Sequence, residues 1–134
     1  MSVHVNQAAH VSVEIAANYE TAFAFLADVT AMPRWAVNFI SAGRAEGETY
    51  WVTTPMGEMP ARIEADAGTG VISMLIGPMP PFVGVLSRSD GGCTFTFLLG
   101  KQPSWSTDQF RTEGIPGMVH ECEVLAGLVE AIAA

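Results

Sequence analysis

The side chains able to ligate a metal, attack a substrate or move a proton are scattered along this chain rather than grouped. His4, His10 and His120 form no His-Glu-x-x-His pattern, and Cys93 and Cys122 form no Cys-x-x-Cys pattern, so the spacing offers no metal site. Serine, histidine and aspartate occur, but nothing places them as a triad. No glycine-rich loop leads from a strand into a helix, so no nucleotide is expected, and no cofactor of any kind is implied. Arg62 and Glu64 share the polar face of a strand and read as a solvated pair, as does Arg88 near a strand end. Two side chains stand out for acid–base work, Glu121 and Tyr50. Glu121 flanks the apolar stripe of the last helix. From there it either looks into an interior space, where burial would raise its pKa, or points to water at the sheet edge, which is the expected orientation.

A second group of residues has the chemistry of a pocket wall. Trp35, with Phe39 beside it, and also Trp51 and Trp105, carry large apolar bodies with one N–H to satisfy. Met56, Met59, Met74, Met79 and Met118 belong to a set of seven methionines, a side chain that adapts to irregular walls as well as to loose cores. His120 falls opposite the apolar stripe and reads as a surface histidine.

The elements that would position these groups follow from periodicity. From Pro116 to Ala134, Met118, Cys122, Leu125, Val129 and Ile132 fall on one line of a helical wheel, widened by Leu128, Ala126 and Val119. Upstream, Val11, Val13 and Ile15 alternate with Ser12 and Glu14 as a half-buried strand. Asn18 is a good N-cap for a helix from Tyr19 to Ala27, whose apolar face is Tyr19, Ala22, Phe23 and Leu26, with Phe25 to one side. Thr30 is placed to cap a second short helix with Pro33 in its first turn. Turn signals recur from Glu46-Gly47 to Asp90-Gly91-Gly92, separating strands at Ser41–Ala45, Glu48–Thr54, Glu58–Asp66, Val71–Ile76, Phe82–Ser89 and Cys93–Gly100. Met59, Ala61, Ile63 and Ala65 share one face, as do Cys93, Phe95, Phe97 and Leu99, and these faces should meet the final helix. Val71–Ile76 is apolar on both faces, and an outward apolar face there would suit a homodimer contact. Lys101 to Ser106 reads as a loop, and Gly114-Ile115-Pro116-Gly117 as a break or kink ahead of the last helix.

Composition narrows the function classes. The chain of 134 residues is 49% apolar and 15% charged, which suits one folded domain over residues 1–134. A net charge of −8 argues against nucleic acid, whose phosphates need clustered lysine and arginine, and against an anionic membrane surface. No apolar run is long enough to span a bilayer, and Met1 to His10 lacks a signal-peptide pattern, so a cytoplasmic protein with two buried thiols is expected.

The order of elements is strand, two short helices, six antiparallel strands and a long helix. With it come Asn18 to Asp28 (NYETAFAFLAD), Met32 to Ala36 (MPRWA), Thr54 to Gly57 (TPMG) and Ser106 to Phe110 (STDQF). This combination resembles the START-like (SRPBCC) superfamily, which includes polyketide cyclase/dehydratase-like proteins. The resemblance implies an α+β helix-grip fold: a seven-stranded curved antiparallel sheet wrapped around the C-terminal helix, with an apolar cavity between them. It also implies a hydrophobic small-molecule ligand such as a lipid, sterol or polyketide. The family has no universal catalytic motif, so no catalytic residue carries over. In such a fold the expected ligand-binding residues are Trp35, Phe39, Met59, Ile63, Phe95, Phe97, Met118, Cys122 and Leu125. Three functions remain open: a binder of an apolar molecule, a cyclase/dehydratase-type enzyme using Glu121 or Tyr50, and an interaction protein with a filled interior.

Overall fold

Alternating strands with one apolar face need a layer to cover that face, and here the last helix supplies it. The computed structural model describes residues 8–101 and 104–134, so His4 lies outside the described residues. The strands are β1 (Ala8–Ile15), β2 (Ala42–Glu46), β3 (Thr49–Thr54), β4 (Gly57–Asp66), β5 (Val71–Ile76), β6 (Phe82–Ser89) and β7 (Gly92–Gly100). They form one antiparallel sheet in the order β1-β7-β6-β5-β4-β3-β2. Five of the six pairings join neighbours in sequence. The sixth brings β1 across the helical corner to β7, with Val11 opposite Phe97 and Val13 opposite Phe95.

Between β1 and β2 stand α1 (Tyr19–Ala27), a 3-10 turn (Val29–Ala31) and α2 (Met32–Trp35). Asn18 caps α1, accepting from the Thr21 N–H. The next turn is capped by Asp28, whose Oδ1 accepts from both the N–H and the hydroxyl of Thr30. Asp28 therefore takes the role expected of Thr30. The buried face of α1 is Tyr19, Ala22, Phe25 and Leu26, while Phe23 is only half-buried against the Tyr19 ring. The expected places of Phe23 and Phe25 are exchanged, because the helix is covered on more than one side: it meets β6, β7 and the final helix.

The final helix starts earlier than its sequence implies. α3 (Thr107–Gln109) is closed by a capping box between Ser106 and Gln109. It passes through a π turn (Phe110–Gly114) into α4 (Ile115–Ala133) without a break. The π turn gives the reason. The Ile115 N–H bonds to the Phe110 carbonyl, one residue wider than an α-helix, and this is the place where Pro116 would crowd the carbonyl four residues back. The wide turn absorbs the proline.

On α4, Met118, Cys122, Leu125, Ala126 and Val129 are buried. Val119 and Ile132, counted in the stripe on the wheel, are exposed instead. The far end of α4 is tied to the first strand where Glu130 Oε2 accepts from the Ala16 N–H at 2.8 Å. On β5, Ile72, Met74 and Ile76 point inward, and Val71, Ser73 and Leu75 outward beside Arg62 and Glu64 of β4. No helix among the described residues is long and apolar enough to cross a membrane.

Candidate functional site

The sheet and α4 do not pack equally well along their length. Toward the β6–β7 hairpin the space is solid: Ile15, Leu26, Ile72, Leu86, Cys93, Phe95, Leu125 and Val129 are all essentially inaccessible. Toward the other end the two layers part and enclose a cavity of about 590 Å³. The sheet contributes Met74, Ile76, Phe82, Phe97 and Leu99 to its wall. The helical corner contributes Met32, Trp35, Ala36, Asn38, Phe39 and Ile40. Gly114, Gly117, Met118 and Glu121 close it from the final helix, and Pro55, Met56, Met79, Ser104, Trp105 and Glu113 surround the mouth.

Aromatic packing holds the floor. Trp35 meets Phe97 edge-on at 5.9 Å between ring centroids and Phe95 at 6.4 Å, and Phe95 meets Phe97 at 5.7 Å. Phe39 and Phe82 make a second ring pair across the cavity at 5.9 Å.

The two glycines near the start of α4 act through space and do not break the helix. A Cβ on Gly114 would lie 2.6 Å from the Trp105 ring, so only glycine lets that indole rest on the helix. A Cβ on Gly117 would lie 3.1 Å from Asn38 Nδ2, which donates to the Gly117 carbonyl at 2.7 Å.

Asn38 also sets the position of a carboxylate in the cavity wall, Glu121. Its backbone N–H donates to Glu121 Oε2 at 3.0 Å. Glu121 is half-buried in the cavity wall, not turned to water at the sheet edge as its wheel position implies. The corner loop packs over that flank of α4, where Asn38 bonds to both Glu121 and Gly117. Burial pushes the Glu121 carboxyl above the usual carboxylate range. The Asn38 N–H, the charge of nearby His120 and the Phe39 N–H oppose that rise by favouring the ionised form.

The sign of the pH effect follows. A carboxyl whose pKa is raised on folding binds protons more tightly in the folded state, so its contribution to stability falls as pH rises from the ordinary carboxyl range through the raised folded value. Glu121→Gln keeps an acceptor for Asn38 and cannot ionise. Its stability relative to the parent is expected to improve as pH is taken from acid to neutral, measured by paired denaturant titrations. An unchanged difference across that range would mean that Glu121 titrates as a solvated carboxyl.

Of the residues expected to bind a ligand, the structure brings Trp35, Phe39, Phe97 and Met118 to the cavity. Phe95, Cys122 and Leu125 lie one layer deeper, in the solid part of the core. Ile63 packs against the core opposite Met74, and Met59 is held under Gly77 in the β5–β6 turn. Tyr50 faces inward but bends over Gly43 on edge strand β2, whose missing side chain makes room for the phenol, so its hydroxyl lies outside the cavity wall. Trp51 is on the outer face with the Arg44 guanidinium 5.7 Å over its ring.

Asn38, Met32 and Phe82 were not singled out by the sequence. Phe82 could have been reached by extending the strand alternation to the strand end, and Leu99, already placed on the inward face of its strand, lies in the wall. Nothing local marks Asn38. Arg62 and Glu64 form an exposed pair at 2.9 Å, and Arg88 pairs with Glu20 at 3.0 Å while covering the Tyr19 ring. Among the described residues no group of histidine, cysteine and acidic side chains is arranged to hold a metal.

Cys93 and Cys122 are both buried free thiols. Burial, aided by the charge of Glu121, pushes the Cys122 thiol up to about 11. Burial likewise raises Cys93, with a smaller contribution from Glu20. Neither thiol is expected to react with an aromatic disulfide reagent at neutral pH until the protein unfolds, when both should titrate. Rapid reaction of one thiol in the folded protein would place it at the surface.

Among solved structures, the protein XoxI from Bacillus cereus matches with a TM-score of 0.66 at 13% identity, over 95% of this chain and 98% of its own. An uncharacterised protein from Bacillus thuringiensis matches with a TM-score of 0.68 at 12% identity, over 91% and 98%. A protein from Thermobifida fusca matches with a TM-score of 0.65 at 18% identity, over 94% and 95%. These likenesses establish a shared fold. No family model matches the chain, and no curated protein matches it by sequence.

Proposed function

We propose that the chain is a START-like (SRPBCC) domain that binds a hydrophobic small molecule in the cavity between the sheet and the C-terminal helix. One observation carries the reading. The layers separate at one end of an otherwise solid core, and the roughly 590 Å³ they leave is walled mostly by apolar side chains, aromatic and methionine residues prominent among them. Cavities of several hundred cubic ångströms lined this way are the size and composition that bury drug-sized ligands. An interaction protein would gain nothing from such a void, which forfeits packing contacts that a filled core would keep.

The test is native mass spectrometry of gently purified protein, followed by analysis of small molecules released on denaturation. A stoichiometric apolar compound is the expected result. Repeated absence of any, together with no thermal shift from fatty acids, sterols or aromatic polyketides, would remove the reading, because a ligand that binds only the folded state must raise its melting temperature.

A second reading is favoured by Glu121. A carboxyl in a largely apolar wall, held by a backbone N–H and raised above the usual carboxylate range by burial, is suited to take or return a proton on a bound substrate. Tyr50 lies away from the cavity, so this chemistry would rest on Glu121. Turnover of a polyketide-type substrate that disappears in Glu121→Gln while binding persists would establish it.

A further inference from the structure

The cavity wall is uneven in charge. Of the described residues that line it, the ionisable ones are Glu113 and Glu121, and no lysine, arginine or histidine is among them. Glu113 is exposed at the mouth, whereas Glu121 is half-buried further in. His120, next to Glu121 on α4, is exposed and outside the wall.

The polar contacts around Glu121 sharpen this. Glu121 Oε2 accepts from the Asn38 N–H, and the Asn38 side-chain amide gives one of its two N–H groups to the Gly117 carbonyl. A carboxylate has about four lone-pair sites, so Glu121 keeps acceptor capacity for a guest. An anionic ligand entering here would shed its water, find no cation among the described residues of the wall and face a like charge, each of which costs binding energy. A donor group would instead gain a charge-assisted hydrogen bond. The net charge of −8 adds a field that favours cations and disfavours anions at the mouth.

We infer that the ligand is an apolar molecule carrying one hydrogen-bond-donating group that is not anionic, an amine or a hydroxyl, seated against Glu121, and that the cavity rejects carboxylates. This rests on the cavity being a binding site and narrows what it takes.

Three probes of matched shape separate the two ideas: naphthylethylamine, naphthylethanol and naphthylacetate, titrated calorimetrically into the full chain and into Glu121→Gln. The amine and the alcohol are expected to bind the parent at least about tenfold more tightly than the acetate, the ratio that one charge-assisted hydrogen bond supports. In Glu121→Gln the amine should lose about tenfold, the alcohol, whose bond to a neutral amide is no longer charge-assisted, should lose affinity but less than the amine, and the acetate should gain. Acetate binding as tight as amine binding overturns the inference and leaves the cavity reading intact. An amine preference that survives unchanged in Glu121→Gln also overturns it, since the selection would then come from overall charge and not from this carboxylate. No binding of any of the three by folded protein overturns both. Circular dichroism and the melting temperature of the variant establish that it is folded before its titration is read.

Discussion

Trp35→Ala should destabilise the protein by about 3–5 kcal/mol, the range for removing a large aromatic side chain from a core. Trp35 is 2% exposed and belongs at once to the solid core and to the cavity floor. Its ring meets Phe95 on the packed side and Phe97 on the open side, so truncation removes two edge-to-face contacts together with the apolar burial. It also enlarges a void that is already present. With Phe95 and Phe97 both losing their contact to the indole, the loss should fall at the upper end of the range. Against a typical total stability of about 5–15 kcal/mol, the variant should melt far below the parent in chemical denaturation. A cost below about 1 kcal/mol, the range of most surface substitutions, would show that Trp35 is a mobile lid on the cavity and not part of its floor.

Met118→Trp should have the largest effect on binding. Met118 is the apolar side chain of α4 that lines the cavity one turn before Cys122, where the helix passes into the solid core. An indole at this position has free volume to enter. The fold should be retained at a cost of no more than the roughly 1–3 kcal/mol typical of overpacking. The affinity of naphthylethylamine should fall by about tenfold to a hundredfold, as expected when contacts equivalent to one buried apolar side chain are lost. Binding unchanged in a folded Met118→Trp protein would place the ligand elsewhere. The two substitutions together separate the roles of the wall: Trp35 supports it and Met118 limits what fits within it.

The helix-grip architecture was legible in the chain because periodicity is local. Whether Phe95, Phe97 and Leu99 face inward depends only on alternation along β7, and the structure buries all three. The cap at Asn18 and the turns at Pro55-Met56 and Asp90-Gly91 are equally local, each set by side chains within four residues, and they stand where the sequence implies. The run from Gly114 to Gly117 was misleading for a related reason. Glycine and proline lower helix propensity, but propensity is outweighed when Trp105 and Asn38 pack against the bare backbone and a π turn accommodates the proline.

What the sequence determined by itself is which face of each strand and of the last helix is apolar, and therefore that sheet and helix must meet. It could not determine where along that contact the layers part. Separation is a mismatch of side-chain volume between residues far apart in sequence, such as Met74, Phe97 and Met118. No periodicity encodes that sum. For the same reason Cys122, Leu125 and Phe95 share the pattern of the cavity residues yet lie in solid core. Glu121 shows the point most clearly. On the helix alone it flanks the apolar stripe, where water at the sheet edge is the expected side. Only the docking of the corner loop, with the Asn38 N–H reaching Oε2, turns it inward and makes it part of the cavity wall.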